Sequence, residues 1–260
     1  MGKTAIVTGA ASGLGFEFSK LLAADGYDLI LADKNETELS RVKMLLESAY
    51  PCKVLSVIAD LSKSGSAEAL INQINNQKID ILVNNAGFGL YGFFKSTDWK
   101  VESEMIHLHI LNFTYLTKLV LQGMLEKGEG KILNVSSMAA FQPGPLFSVY
   151  AASKAFINSF SLSLSNELKG TGVTVTLLCP GQTNTNFAKS VSEMSGSKLS
   201  KVPFTAEAVD IARYGYNALK KGTVMAIPGN INKIMRYISL FLPTMLTTSV
   251  NRKLQERIRK

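Results

Sequence analysis

The sequence predicts an α/β fold: a single domain built on one doubly wound parallel sheet of about seven strands, with helices on both faces. Three observations support this. Short apolar runs alternate with longer segments of helical spacing, a glycine-rich turn joins the first run to the first helix, and 260 residues suit one α/β domain. With 46% apolar and 18% charged residues, the composition is that of a globular protein, not a disordered chain.

The elements follow from hydrophobic periodicity, because apolar runs predict strands and apolar residues three to four apart predict helices. The strands are predicted at residues 4–8, 27–32, 54–59, 79–83, 131–135, 173–178 and 223–227. The helices are predicted at residues 14–25, 36–48, 66–76, 101–126 and 150–168. Strands that alternate with helices of this length pair in parallel through right-handed crossovers.

The positive charge is concentrated at the C-terminus. Residues 231–260 hold seven cations and one anion, a net +6 out of +8 for the whole chain, which leaves about +2 for the first 230 residues. The basic charge therefore belongs to a tail, and we predict no nucleic-acid partner. We expect residues 1–230 to form the folded domain and residues 231–260 to form a C-terminal extension.

The extension has the pattern of a basic amphipathic helix. Ile231, Ile234 and Ile238 recur at helical spacing, with Lys233 and Arg236 between them. Such a helix can dock on its own domain, on a partner subunit, or on an anionic membrane surface. The sequence favours docking on protein but leaves peripheral membrane contact open, and that contact would favour a lipophilic or acyl substrate.

We predict no signal peptide at the start of this sequence, because residues 1–9 lead almost directly into the first strand. The longest apolar stretch, residues 237–248, is too short to span a bilayer. We therefore predict a cytoplasmic protein that associates with membranes, if at all, through its extension.

No metal site is predicted from the two histidines. His107 and His109 lie two positions apart and point to different faces, so we expect surface or packing roles for both.

The first turn of the predicted sheet has the composition of a phosphate-binding loop. Residues 8–15 read TGAASGLG and stand between the first strand and the first helix. Glycine allows the backbone to turn sharply and approach a pyrophosphate, and the helix N-terminus offers free N–H groups. The sequence therefore predicts a dinucleotide at this edge of the sheet.

The cofactor type is indicated by the end of the second strand. Asp33 lies eighteen residues after Gly15, close to the spacing expected of an acid that hydrogen-bonds the adenosine ribose. A carboxylate there repels a 2′-phosphate and favours NAD(H). The adjacent Lys34 is a cation that can pair with a 2′-phosphate, so NADP(H) stays open.

A tyrosine and a lysine provide the candidate acid–base pair. Tyr150 and Lys154 lie four residues apart and so neighbour each other on one helix face. A tyrosine with a pKa near 10 is a poor proton shuttle at neutral pH, and a nearby ammonium group lowers that pKa. The pair predicts proton transfer at the Tyr150 hydroxyl.

Further motifs follow the successive strands. They are Asp60-Leu61 after the third strand, Asn84-Asn85-Ala86-Gly87 after the fourth, Asn112 in the long helix, Ser136-Ser137 after the fifth, and Pro180-Gly181 with Thr183 and Thr185 after the sixth. With the glycine loop and the Tyr150/Lys154 pair, they make residues 4–187 resemble the short-chain dehydrogenase/reductase (SDR) family in its common, non-extended form.

The resemblance implies a Rossmann fold and an oxidoreductase that moves a hydride between a nicotinamide dinucleotide and a carbonyl/alcohol substrate. Of the two dinucleotides, Asp33 favours NAD(H) over NADP(H). The catalytic residues it implies are Asn112, Ser137, Tyr150 and Lys154. The cofactor-binding residues it implies are Gly9, Ala11, Ser12, Gly13, Leu14, Gly15, Asp33, Lys34, Asp60, Leu61, Asn85, Ala86, Gly87, Tyr150, Lys154, Pro180, Gly181, Thr183 and Thr185.

The resemblance also implies a role for each catalytic residue. Tyr150 exchanges a proton with the substrate oxygen, and Ser137 hydrogen-bonds the same oxygen. Lys154 tunes Tyr150 and anchors the cofactor ribose, while Asn112 fixes the backbone and a water in a proton relay. A catalytically silent dinucleotide-binding regulatory protein is the alternative, and the intact Ser137, Tyr150 and Lys154 argue against it.

The substrate side is indicated less directly. In the family, the segment after the sixth strand folds over the substrate, here at residues 186–204. Its apolar members hint at an apolar substrate; they are Phe187, Val191, Met194, Leu199 and Phe204. The aromatic stretch at residues 88–94 either lines the cleft or covers the end of the sheet. The family further implies a homodimer or homotetramer that pairs through helices 101–126 and 150–168.

Overall fold

The computed structural model describes residues 2–74, 77–196 and 205–258. The strands of the main sheet are β1 (Thr4–Thr8), β2 (Asp28–Asp33), β3 (Val54–Ile58), β4 (Ile81–Asn84), β5 (Gly130–Val135), β6 (Val173–Leu178) and β9 (Met225–Ala226). All pair in parallel, in the order β3-β2-β1-β4-β5-β6-β9, so the winding direction switches between β1 and β4. The predicted doubly wound sheet of seven strands is confirmed. Two further short strands, β7 (Thr183–Asn184) and β8 (Ala206–Glu207), form a separate parallel pair.

Helices cover both faces of the sheet. They are α1 (Gly13–Ala24), α2 (Glu36–Ala49), α3 (Ser66–Gln73), α4 (Trp99–Ile106), α5 (Phe113–Lys127), α6 (Ser148–Glu167), α7 (Phe187–Ser195), α8 (Ala208–Lys221), α9 (Asn230–Phe241) and α10 (Thr244–Ile258). Residues of α1, α2 and α8 pack in one buried cluster, and residues of α3, α5 and α6 pack in another. The two layers bury both faces of the strands, which explains the nearly continuous apolar runs in the sequence.

Alternating residues of each strand feed the two layers. In β1, Ala5 and Val7 join the cluster of α1, where Phe18 and Leu22 are fully buried, whereas Ile6 joins the opposite cluster. This is the period of two expected of a strand between two helical layers. Full burial of a side chain such as Leu22 contributes about 1.5–3 kcal/mol to stability.

The helix predicted at residues 101–126 is not continuous. It starts earlier, at Trp99, because the Asp98 carboxylate caps the first turn by accepting the Lys100 N–H. It is then interrupted by a π-helical turn, His107–Asn112, which separates α4 from α5. Such turns inside α-helices occur often at functional sites, and this one faces the Tyr150 region of α6.

The extension forms two helices, α9 and α10. No residue of α9 is buried, so this helix does not dock its apolar face on its own domain. Within the described ranges, no helix combines the length and hydropathy that a membrane crossing requires.

Candidate active site

The glycine loop between β1 and α1 has a backbone that only glycine permits at key points. Gly9 and Gly13 have φ angles of 65° and 54°, in the left-handed region that side chains rarely adopt. A Cβ added to Gly15 would overlap the carbonyl oxygen of Gly9 and lie 2.8 Å from the amide nitrogen Nδ2 of Asn85. The first turn of α1 is therefore pressed against the loop, with its N-terminal N–H groups at the carboxyl edge of the sheet.

The motif after β4 holds the loop from the other side. The Thr8 hydroxyl donates to the carbonyl of Val83 and accepts the N–H groups of Asn85 and Ala86, the latter two at 3.0 Å. The Asn85 amide donates to the carbonyl oxygens of Thr8 and Gly9, at 3.0 and 3.3 Å. The ends of β1 and β4 are thereby fixed together at the switch point, where ligands of open α/β sheets bind.

Asp33 lies beside this loop, at the end of β2. Its carboxylate accepts the N–H groups of Ala11 and Asn35, both at 3.0 Å, whereas the side chain of Lys34 is exposed. Across the edge, Asp60 accepts both the N–H and the hydroxyl of Ser62. Burial acts to raise the pKa of Asp60, but these bonds and the charges of Lys34 and Lys63 outweigh it and hold that pKa below its ordinary value.

The remaining predicted cofactor contacts gather around the same edge. The Thr185 methyl lies near Gly13, since a Cβ on that glycine would be 3.2 Å from it, and a cavity of about 330 Å³ separates this contact from α8. Members of the set at or near this edge are Ser12, Leu14, Leu61, Gly87, Pro180, Gly181 and Thr183. A glycine-lined cradle, free helix N–H groups and a flanking carboxylate are a donor set that fits a dinucleotide.

Tyr150 and Lys154 project from one face of α6 toward the end of β5, where Ser137 follows. Burial raises the pKa of Tyr150 to about 12, and a hydrogen bond with Ser137 acts in the opposite direction. Burial also lowers the pKa of Lys154 to about 8. The ammonium group donates to the Val135 carbonyl at 3.1 Å and lies 5.8 Å from the centre of the Tyr150 ring. Burial is the larger influence on the pKa of Tyr150 in this structure, and the lowering of that pKa by Lys154 stays a prediction.

Asn112 is not part of this cluster. Its amide donates to the carbonyl oxygens of Leu61 and Lys63, at 2.9 and 2.6 Å, and its side-chain oxygen accepts the Ala67 N–H at 3.2 Å. These bonds brace the connection between β3 and α3. The role of Asn112 in a proton relay stays a prediction.

His109 is the residue of the π-helical turn that lies against the cluster, and it is the site residue that sequence reasoning missed. It is buried; its Nε2 lies 3.3 Å from the Phe88 nitrogen and its Nδ1 lies 2.8 Å from the Ser153 hydroxyl. Because the Ser153 hydroxyl donates to the Tyr150 carbonyl, it must accept from Nδ1–H, which leaves Nε2 to accept from Phe88. His109 thus links the segment after β4 to α6 as a neutral imidazole.

The charge state of His109 follows from its surroundings. Burial, and secondly the positive charge of Lys154, hold its pKa well below the usual value of 6.5. A doubly protonated ring would also lose the bond from Phe88, because both ring nitrogens would then be donors.

Comparison with known proteins decides the family. The sequence model of the family described as short chain dehydrogenase matches residues 3–196, about three quarters of the chain. The chain belongs to this family. It is an NAD(P)-dependent oxidoreductase of the class that interconverts C=O and CH–OH groups, as the sequence predicted.

Relatives of this short-chain dehydrogenase include a very-long-chain 3-oxoacyl-CoA reductase of Anas platyrhynchos, 32% identical over 270 residues that cover 100% of this chain and 82% of that protein. A 17-beta-hydroxysteroid dehydrogenase type 3 of Mus musculus is 35% identical over 192 residues, 73% of this chain and 63% of that protein.

Solved structures share the fold. A short-chain dehydrogenase from Sphingobium yanoikuyae in complex with NADPH superimposes with a TM-score of 0.81 at 24% identity, over 93% of this chain and 96% of that one. An SDR from Burkholderia phymatum in complex with NAD gives a TM-score of 0.82 at 24% identity, over 94% and 96%.

We expect that His109→Phe destabilises this dehydrogenase and removes part of its pH dependence. Phenylalanine fills the space, but the Phe88 N–H and the Ser153 hydroxyl lose their hydrogen-bond partner. Each buried group left unsatisfied in this way lowers the free energy of unfolding by about 1–3 kcal/mol. In the parent, this histidine is protonated in the unfolded chain below its ordinary pKa of 6.5, whereas burial keeps it neutral in the folded chain. The free energy of unfolding therefore decreases as pH falls below 6.5. The parent therefore loses stability between pH 7.5 and 5.5, and the variant lacks this loss.

Urea denaturation of parent and variant at both pH values measures these effects. His107→Phe is the matched control: the His107 ring contacts only the Ser103 carbonyl of its own helix among the hydrogen bonds seen, and its replacement should change stability by at most about 0.5 kcal/mol. Equal behaviour of the two variants would contradict the assigned role of His109.

The surroundings of Tyr150 are apolar. Tyr150 packs in a cluster that contains Leu90, Met105, Phe147 and Phe187, with the Phe187 ring centre 5.6 Å from its own. A neighbouring cluster joins Tyr91, Leu146 and Val191. The first half of the aromatic stretch therefore packs around Tyr150, while its last two members, Phe93 and Phe94, are exposed. Met194 is 40% exposed, and Leu199 and Phe204 lie outside the described residues.

Proposed function

We propose that this enzyme reduces the carbonyl group of an apolar substrate, or oxidises the matching alcohol, at the Tyr150 hydroxyl. The observation that carries the proposal is the position of that side chain. It lies among aromatic and aliphatic groups that would form the walls of a substrate cleft, beside Ser137 and Lys154. A catalytically silent protein is not supported by any feature of this site.

The roles proposed for the chain's residues follow from their protonation states. The high pKa keeps Tyr150 a neutral phenol at neutral pH, which is the form that donates a proton to a carbonyl oxygen. Ser137 offers a hydroxyl to the same oxygen as its negative charge develops. Lys154 presents a positive charge toward the floor of the cleft, and the bound nicotinamide supplies or accepts the hydride. His109, rather than Asn112, holds the opposite wall of the cleft in place.

The substrate class proposed is a 3-oxoacyl thioester with a long acyl chain. The apolar cleft supports this, as does the likeness to proteins named very-long-chain 3-oxoacyl-CoA reductases. The test is kcat/KM for thioesters of increasing acyl length. Each methylene buried contributes about 0.8 kcal/mol, so we expect about a fourfold rise per methylene until the cleft is filled. A flat profile, or preference for a charged ketone, would count against the apolar substrate.

We propose NADH as the preferred reductant. A ribose bound beside Asp33 would meet a carboxylate already oriented by two backbone N–H groups, whereas a 2′-phosphate would be repelled by it. A charge-assisted hydrogen bond contributes about 1.5–3 kcal/mol, so we expect NADH to bind about tenfold to a hundredfold more tightly than NADPH. Fluorescence titration with each nucleotide measures this. Lys34→Ala should leave NADH binding unchanged, and equal affinities in the parent would contradict the preference.

The setting proposed for the enzyme is the cytoplasm, as a homo-oligomer. The support for assembly is a set of exposed apolar side chains on the two helices that pair between subunits in the family. On α5 and the turn before it, Leu111 and Tyr115 are 53% and 40% exposed, and on α6 Phe156 is 37% exposed. A dimer or tetramer that pairs these helices would cover them.

A further inference from the structure

The C-terminal helix α9 is oriented with its apolar side outward. Ile231, Ile234, Met235, Ile238 and Phe241 share one side of the helix and are between 49% and 83% exposed. A surface helix of a globular protein normally turns such a stripe toward the core. The reversed orientation leaves a continuous apolar surface that the domain does not cover.

The polar side of α9 is the side that contacts the domain. The Asn232 amide donates to the Pro228 carbonyl at 2.7 Å and lies over Gly181. The Arg236 guanidinium lies 4.5 Å from the centre of the Phe141 ring, a cation–π contact. The orientation of the helix is thus fixed by specific contacts on its polar side.

The last helix, α10, repeats the arrangement. Asn251 and Gln255 face the domain: the Asn251 amide donates to the Pro143 carbonyl, and the Gln255 carbonyl accepts the Tyr91 hydroxyl, each at 2.9 Å. On the outward side, Leu246, Val250 and Leu254 follow one another at four-residue spacing and are 50–52% exposed. These residues extend the apolar surface of α9.

The charge of the same surface identifies its partner. The exposed side of α10 also carries Lys253 and Arg257, and the segment 231–260 has a net charge of +6. A second copy docked face to face would bring two such segments together, and the like charges would repel. An anionic lipid surface satisfies both features, because it accepts apolar side chains below the headgroups and attracts Lys and Arg at the phosphates.

We propose that α9 and α10 together form a docking surface for an anionic lipid bilayer, on which the enzyme lies as a peripheral protein. The helices lie in the plane of the interface, with the apolar side chains at the headgroup–acyl boundary. They border the substrate cleft, because Tyr91 contacts α10 and packs with Leu146 in the cleft wall. A substrate dissolved in the bilayer therefore reaches the cleft from its lipid side, a step that rests on the proposed function.

Co-sedimentation of the full chain with vesicles tests the proposal. We expect binding to phosphatidylglycerol/phosphatidylcholine vesicles that weakens as salt is raised, and little binding to pure phosphatidylcholine. Each basic residue near an anionic surface contributes about 1 kcal/mol, so Lys253→Gln with Arg257→Gln should weaken binding about 30-fold. Ile238→Ser with Phe241→Ser should weaken it as well, because burial of two large apolar groups is lost.

Matched controls carry the same changes elsewhere. Lys118→Gln with Lys221→Gln alters exposed lysines of α5 and α8, and Met44→Ser with Ile58→Ser alters exposed apolar residues of α2 and β3. Both control variants should bind vesicles as the parent does.

The proposal is overturned if the parent does not bind anionic vesicles. It is also overturned if light scattering shows that the parent is a dimer and that the Ile238→Ser, Phe241→Ser variant is a monomer. Activity on a short, water-soluble ketone should be the same in parent and variants. If the parent lacked this activity, the result would count against the proposed function, whereas vesicle binding would still support the docking surface.

Discussion

Tyr150→Phe will leave a folded chain that binds the dinucleotide and reduces carbonyl substrates about 10²–10⁴-fold more slowly, the range by which a positioned acid or base accelerates a reaction. The substitution removes one oxygen from a side chain that is 9% exposed and leaves its ring in the same apolar cluster. The proton donor is lost, whereas the packing of the Phe147 and Phe187 rings is kept. Steady-state kinetics should place the loss in kcat, with a much smaller change in KM.

Two measurements make the interpretation of this variant secure. Nucleotide affinity, followed by nicotinamide fluorescence, should stay within about fivefold of the parent, because the glycine loop is untouched and one lost hydrogen bond is worth only about 1 kcal/mol. Tyr115→Phe removes the same oxygen from a tyrosine that is 40% exposed on α5, and it should keep full activity. If Tyr150→Phe retained the parental kcat, proton transfer at this hydroxyl would be ruled out.

The parts of the site that could be predicted are those whose chemistry requires a local spacing. The glycine loop, Asp33 and the Tyr150/Lys154 pair each lie within one strand–turn–helix unit or on one helical face, so the periodicity of the sequence places them correctly. The order of the strands follows from the same alternation, because parallel strands need helical crossovers. The short last strand was overextended, at residues 223–227 rather than Met225–Ala226, since strand length depends on pairing with β6.

The addition of His109 to the candidate site shows where such reasoning stops. A π-helical turn has more residues per turn than an α-helix, so a period of 3.6 does not reveal which of residues 107–112 faces α6. Three-dimensional packing decides it. A polar residue on an otherwise apolar helical side was the available signal, and it fits His109, which is buried, better than His107.

Two further features depend on burial, which the sequence does not contain. The i, i+4 spacing of Tyr150 and Lys154 predicts their proximity but not that both are enclosed, and enclosure moves the two pKa values apart, to about 12 for Tyr150 and about 8 for Lys154. Likewise, the periodicity of α9 reveals an amphipathic helix but not which side meets the domain. Contacts of Asn232 and Arg236 decide that orientation.

The glycine loop gives the second large effect that we expect: Gly15→Ala will abolish most dinucleotide binding. The new methyl group would overlap the Gly9 carbonyl and lie 2.8 Å from the Asn85 amide, so the loop, the start of α1 or the segment after β4 has to move. Any of these shifts misaligns the N–H groups aimed at the phosphates. Losing two charge-assisted hydrogen bonds, at about 1.5–3 kcal/mol each, weakens nucleotide binding by at least about a hundredfold.

The glycine of α5 supplies the control that separates this clash from a general effect of adding a methyl group. Gly123 lies in a helix with open space around its Cβ position, so Gly123→Ala should keep nucleotide affinity and raise stability by up to about 1 kcal/mol. Fluorescence titration and thermal unfolding distinguish the two variants. Gly15→Ala should lose stability as well, by about 1–3 kcal/mol, because a methyl group forced into a packed site displaces backbone. Parental affinity in Gly15→Ala would mean that the phosphates do not bind at this turn, and the cofactor would then have to lie away from the switch point between β1 and β4.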